Sequence, residues 1–194
     1  MSIILQTERL QAKLVDHSNE KHVIDLYSKK ENVEFLEGID VEADIRLSKE
    51  CYSAYKKFGS YLIFENKTDK FIGFGGIQKQ EPMADGSLAL TNHDVEFLIL
   101  IDREAIGKGY AYEFCSAFFY QLFKSFSNLS VPARVDKKNS SCIGLLKKLG
   151  FVLEGEIDYH VYGNKFFLFR LDSELFHLSK LEKKSLTLSS SSFS

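Results

Sequence analysis

The stretch Val95-Glu96-Phe97-Leu98-Ile99-Leu100-Ile101-Asp102-Arg103-Glu104-Ala105-Ile106-Gly107-Lys108-Gly109-Tyr110-Ala111-Tyr112-Glu113 decides how this chain is read. An apolar strand runs into a short glycine-containing loop, and the loop opens a helix. Two glycines one residue apart remove side chains just where the first N–H groups of a helix have no intrahelical partner. The helix dipole adds partial positive charge at the same place. The combination makes an anion site, suited to a phosphate or pyrophosphate. A tight strand-to-helix turn without a ligand has the same composition. Two well-known phosphate loops do not fit. The P-loop needs four residues between its glycines followed by Lys-Ser/Thr. The dinucleotide fingerprint needs a third glycine where this chain has Tyr112.

A second segment lies downstream: Asn139-Ser140-Ser141-Cys142-Ile143-Gly144-Leu145-Leu146-Lys147-Lys148-Leu149-Gly150-Phe151. Asn139 and the serines are natural N-cap residues. Ile143, Leu146 and Leu149 recur at helical spacing, and Gly150 suits a C-terminal cap. Phe151 then starts another apolar strand.

Taken together, these motifs resemble the GNAT acetyltransferase superfamily, and within it the ribosomal-protein alanine N-acetyltransferases. The family's phosphate loop is similar to Gly107-Lys108-Gly109-Tyr110-Ala111 followed by Glu113. Its later Asn-x-x-Ser and Leu-Gly-Phe elements are similar to Asn139 through Phe151. The opening Leu5-Gln6-Thr7-Glu8-Arg9-Leu10 looks like the usual start of that branch. Order and spacing agree from about residue 5 to residue 176.

The composition agrees with one soluble, globular domain. The chain has 194 residues, 44% hydrophobic and 27% charged, enough for a single proper core. Twenty-five Lys and Arg against 27 Asp and Glu leave a net charge of −2, which argues against nucleic acid as a general partner. No apolar run approaches the roughly 20 residues needed to span a bilayer. The first residues lack a basic region followed by an apolar core, so no membrane partner and a cytoplasmic location are expected. Cys51, Cys115 and Cys142 are odd in number and unpatterned, so neither a disulfide framework nor a metal site is expected.

Periodicity predicts strands at Gln11–Val15, Ser60–Glu65, Phe71–Gln78, Asn92–Ile101, Ser130–Val135, Phe151–Val161 and Lys165–Leu171. It predicts helices at His17–Lys29, Val41–Lys57, Lys108–Ser125 and Asn139–Leu149. Strand-to-helix alternation after an antiparallel first half predicts a mixed α/β fold with a mostly antiparallel sheet flanked by helices. The resemblance implies the same order of elements. One domain is expected over residues 1–178, followed by a polar, serine-rich tail over 179–194.

The resemblance also implies the chemistry: acetyl transfer from acetyl-CoA to a primary amine, a protein N-terminus or a small molecule, directly in a ternary complex. It assigns the phosphates to backbone N–H groups of Ile106, Gly107, Lys108, Gly109, Tyr110 and Ala111. The pantetheine arm would lie along the main chain of Leu98, Ile99, Leu100 and Ile101, and Asn139 would contact it. Glu96 sits where the branch commonly carries a Glu. Apolar neighbours would desolvate it in part and raise its pKa toward the range of a general base, while simple alternation along the strand would instead turn it to solvent. His93 and Asp94 are nearby alternatives. The position of the motif's Ser is Cys142, a candidate proton donor and cofactor contact. The acceptor pocket of this fold would draw on Phe35, Glu37, Tyr159 and His160, with Tyr162 beside them.

Two positions depart from the family pattern. Glu104 stands three residues before the first glycine, where Arg or Gln is usual. Leu146 stands where many members carry a Tyr that protonates the leaving thiolate. These departures feed the alternative of a non-catalytic acyl-CoA-binding or interaction module on the same fold. The oligomeric state, monomer or homodimer, stays open.

Overall fold

The computed structural model of the chain describes residues 3–36, 40–55, 58–79, 95–159 and 164–176. Strands β1 (Ile3–Gln6) and β2 (Leu10–Leu14) lead into helices α1 (Lys21–Ser28) and α2 (Val41–Ala54). Strands β3 (Ser60–Glu65), β4 (Phe71–Lys79) and β5 (Val95–Ile101) follow, then α3 (Tyr110–Ser125) and β6 (Ser130–Asp136). Helix α4 (Ser140–Leu149) precedes the last two strands, β7 (Val152–Tyr159) and β8 (Asn164–Asp172).

The expected α/β class is what the fold shows, with the sheet divided in two. Five strands run in the order β1-β2-β3-β4-β5 and three in the order β6-β8-β7, and every ladder among the described residues is antiparallel. Strands β5 and β6 adjoin at the division but share no ladder. Helix α3 connects them. An edge strand leaves half of its N–H and C=O groups facing away from its partner, so β5 offers a row of main-chain groups to whatever lies in the division.

Two apolar cores account for the layers. The larger is filled by α3, whose Phe114, Cys115, Phe118, Phe119, Leu122 and Phe123 recur at helical spacing and are all buried. It takes Val95 and Phe97 from β5 and Leu146 and Leu149 from α4. The smaller gathers Val23, Leu26 and Tyr27 of α1 and Ile45 of α2 against Leu62, Phe74 and Leu100. Alternation along β5 therefore sends Val95 and Phe97 toward α3 and Leu100 toward α1 and α2.

Most predicted elements are present with shifted ends. The expected first strand at Gln11–Val15 is instead the second of a hairpin, paired with β1 across Gln6↔Gln11. Thr7 N–H closes that turn on the Leu10 carbonyl at 2.8 Å. Four residues give little alternation to read, so β1 leaves no clear trace in the sequence. The predicted α1 loses its first turn because Asp16 and Asn19 cap a separate bend: Asn19 Oδ1 accepts from Asp16 N at 2.8 Å. Residues 160–163 and the 179–194 tail lie outside the described residues.

Candidate active site

The site starts at the loop that leaves β5. Asp102 caps a 3-10 turn over Arg103–Ala105 by accepting from Glu104 N–H at 3.1 Å, and Lys29 Nζ holds its other oxygen at 2.5 Å. Asn32 fixes the same turn by accepting from Arg103 N–H at 2.8 Å. The chain then passes through Gly107 and Gly109, both at φ +80°. L-residues with a Cβ rarely adopt this left-handed region, which explains the glycine pair. Gly109 is the N-cap of α3, and no side chain caps that helix. A Cβ built at Gly107 meets nothing within 4 Å. Open space above a bare backbone, at an uncapped helix start, suits a phosphate-bearing group such as that of acetyl-CoA.

Thr7 and Arg9 hold the loop from behind. Thr7 Oγ1 donates to Glu113 Oε1 at 2.6 Å, Arg9 Nε donates to Glu113 Oε2 at 2.6 Å, and Arg9 N–H donates to Oε1 at 2.9 Å. Arg9 Nη1 also donates to the Lys108 carbonyl at 3.0 Å. Burial works to raise the Glu113 carboxyl, but these hydrogen bonds outweigh it and hold it below the usual range. The Thr7-Glu8-Arg9 signature near the start of the chain thus anchors the first turn of α3. Tyr110 donates its hydroxyl to Glu65, and the Arg9 guanidinium stacks over the Tyr110 ring at 4.7 Å.

Glu104, the departure in the phosphate loop, is exposed and ion-paired with Lys70 Nζ at 2.8 Å. That hydrogen bond holds its carboxyl below the usual range, so Glu104 is ionised with its charge matched by Lys70. Arg103 lies 4.0 Å from Glu34, and Lys108 is exposed beside Gly107.

Glu96 faces the α1/α2 side of the sheet, directly opposite Gln78 in the β4–β5 register. It is 9% exposed. Arg134 of β6 reaches across the division and donates to Glu96 Oε2 from Nη2 at 2.6 Å and Nε at 3.0 Å. Gln78 Nε2 donates to the other oxygen, Oε1, at 3.2 Å and to Asp44 Oδ1 at 3.3 Å. Tyr27 donates its hydroxyl to Asp44 Oδ2 at 2.6 Å. A buried polar chain therefore runs from α1 through α2, β4 and β5 to β6.

A family model for the acetyltransferase (GNAT) domain matches residues 14–152. The chain belongs to the GNAT acetyltransferase family. Solved structures agree on the fold. A spermidine N-acetyltransferase from Vibrio cholerae, in complex with CoA and spermine, is 14% identical and covers 88% of this chain and 99% of its own, with a TM-score of 0.64. The ribosomal-protein-S5-alanine acetyltransferase from Vibrio fischeri is 16% identical over 87% and 96%, with a TM-score of 0.67. An acetyltransferase from Agrobacterium tumefaciens is 18% identical over 88% and 95%, with a TM-score of 0.68. No curated protein sequence matches the chain significantly.

The second GNAT motif also takes up a defined local structure. Asn139 is the N-cap of α4 and accepts from Cys142 N–H at 3.0 Å through Oδ1. Gly150 closes the helix in the left-handed conformation at φ +99°. Leu146, where many GNAT enzymes carry Tyr, is completely buried in the main core. Cys142 packs against that core too, near enough to Cys115 of α3 to raise the Cys115 thiol further.

Burial pushes the Cys142 thiol up to about 11. It stays protonated at neutral pH, which suits a proton donor and not a nucleophile. Iodoacetamide at pH 8 is expected to alkylate Cys142 about two orders of magnitude more slowly than an unperturbed cysteine, because so little thiolate is present. The rate should climb about tenfold per pH unit until about pH 11. Mass spectrometry of the labelled peptide reads the rate, and modification as fast as free cysteine would overturn the assignment.

Of the expected acceptor residues, Phe35 is half-buried on the segment after α1. Tyr159 ends β7, with only its backbone described, while Glu37, His160, Tyr162, His93 and Asp94 lie outside the described residues. Asp44, Gln78, Arg134 and Tyr27 do not stand out in the sequence. The one usable signal for Gln78 is its polar side chain directly after the apolar run Phe71–Ile77 of β4.

Proposed function

We propose that this protein is an N-acetyltransferase that moves an acetyl group from acetyl-CoA to a primary amine by direct transfer in a ternary complex. The observation that supports it best is the uncapped start of α3 over Gly107 and Gly109, opening beside the free edge of β5. The backbone N–H groups from Ile106 to Ala111 would hold the phosphates, and the main chain of Leu98–Ile101 would align the arm. Asn139, whose oxygen is used in capping, has its NH2 left to meet it.

Bound acetyl-CoA supplies an acetyl thioester. Glu96 Oε2 is occupied by Arg134, while among the described residues Oε1 takes one long hydrogen bond, from Gln78. Oε1 is therefore the atom that accepts a proton from the acceptor amine. An N–C bond then forms as the C–S bond breaks, and the departing sulfur takes up a proton, for which the Cys142 thiol is the candidate donor. The acylated nitrogen sheds its remaining extra proton, which restores that thiol, and Glu96 releases its own proton to water. A good thiolate leaving group makes the donation to sulfur the least demanding step.

The buried Leu146 and the core-packed Cys142 favour, as a second reading, a module that binds acyl-CoA without turnover. A melting experiment followed by an amine screen separates the two. Acetyl-CoA at roughly 100 times its Kd should stabilise the fold by about 2.7 kcal/mol. For a chain of this length that raises Tm by about 5–11 °C. A shift with acetylated amine supports the enzyme, a shift without product supports the binding module, and no shift at millimolar ligand sinks both.

A further inference from the structure

The polar chain behind Glu96 has an unmet need. Gln78 is 5% exposed, and its Oε1 receives no hydrogen bond among the described residues. Its amide cannot be turned around to mend this. Both neighbours, Asp44 and Glu96, are carboxylates that accept, so Nε2 must face them and Oε1 is the atom left over. A buried acceptor without a donor is costly, and native proteins retain few of them.

The charges are also unmatched. Two carboxylates share one guanidinium, and Arg134 directs both Nε and Nη2 at a single oxygen of Glu96. Among the described residues, Asp44 is met by the neutral Tyr27 hydroxyl and the long bond from Gln78. The charges acting most strongly on it, those of Glu96 and Asp40, are both negative. Burial first, and these neighbours after it, hold its carboxyl above the usual range. Among the described residues, the cluster has no second positive charge that carries several N–H donors.

We propose that Asp44, the Gln78 side-chain oxygen and Glu96 together hold the protonated amine of the acceptor, so that the acceptors are cationic primary amines and Asp44 is the residue that selects them. An ammonium has three donors and no acceptor, which matches two carboxylate oxygens and one amide oxygen. The same site places the nitrogen beside Glu96 Oε1, the atom that takes its proton. Asp44 sits in the first turn of α2, capped by Asp40, whose carboxylate accepts from Ala43 N–H at 2.9 Å. This seating on a helix facing β4 fixes the position of the Asp44 carboxylate.

The inference rests on the acetyltransferase reading for the fate of the amine once bound, so its test includes a readout that needs neither cofactor nor turnover. L-alaninamide, which imitates a peptide N-terminus, is titrated at about pH 6.5, where its amine is charged. Lactamide, with a hydroxyl in place of the ammonium, is the control. The side-chain NH2 resonance of Gln78 should move with alaninamide and stay fixed with lactamide. In the kinetic arm, Asp44→Asn should raise the KM for alaninamide tenfold or more. Its kcat should stay within about threefold and its acetyl-CoA affinity should be unchanged, with Asp44→Glu recovering part of the loss. A Gln78 resonance unmoved at concentrations that support acetylation, or an unchanged KM in Asp44→Asn, overturns the site. A resonance that moves in a protein that acetylates nothing keeps the site and sinks the enzyme.

Discussion

Glu96→Gln is expected to lower kcat by about a hundredfold or more with alaninamide and saturating acetyl-CoA at neutral pH. A positioned general base contributes about 10²–10⁴ in rate, and an amide cannot take the proton. The substitution is close to isosteric, so the loss can be assigned to chemistry. The new amide oxygen still accepts from Arg134. The new NH2 faces Gln78 and replaces the oxygen that accepted the long bond from Nε2. Arg134 loses its counter-ion, so Tm should fall by a few degrees, and the assay is run well below the transition. Acetyl-CoA should still raise Tm, because the glycine loop lies at the other end of β5. A kcat within threefold of the parent would remove Glu96 from the chemistry and leave it as a strap between β5 and β6.

The elements legible in the sequence are those whose cause is local. The glycine pair, the Asn139 cap and the Gly150 stop each answer a backbone demand within a few residues, so they can be read without knowing what lies across the fold. The phenylalanine spacing of α3 is legible for the same reason. Glu113 is visible as part of the loop motif, but its partners Thr7 and Arg9 are more than a hundred residues away. The opening signature is therefore recognisable without its purpose being readable. Glu96 is found by position and resemblance. Its setting is not, because that depends on the β4–β5 register, which puts Gln78 opposite it, and on the break in the sheet that Arg134 crosses. Asp44 looks like an ordinary acidic residue in the first turn of a helix, where the dipole favours one. Only the packing of α2 on β4 turns it toward Gln78.

That packing is seated on a close backbone approach between β3 and β4, and Gly76→Ala is expected to disturb it at a cost of about 3 kcal/mol or more. Gly76 stands at φ +145°, a conformation that L-residues rarely adopt. A Cβ there would lie 2.1 Å from the Gly59 carbonyl oxygen and 2.9 Å from Ser60 Cα. Both obstacles are backbone, so no rotamer relieves them and β3 and β4 would have to part. The same place laces three elements together. Ser48 of α2 donates to the Ser60 carbonyl at 3.0 Å and accepts from Ser60 N–H at 2.9 Å. Ser60 Oγ in turn donates to the Ile77 carbonyl at 3.3 Å, one residue before Gln78. Prising β3 from β4 would therefore shift α2 and Asp44 away from Gln78 as well as weaken the core. Tm is expected to fall by about 6–12 °C. In the protein that remains folded, the KM for alaninamide should rise while the acetyl-CoA shift persists, because the loop before α3 is anchored separately by Thr7 and Arg9. Gly144→Ala is the natural control: it lies in α4 with nothing within 4 Å of an added Cβ, and alanine there should leave Tm equal or slightly higher. Equal melting of the two variants would mean that the strands relax around Gly76, and that the amine pocket is not held by this contact.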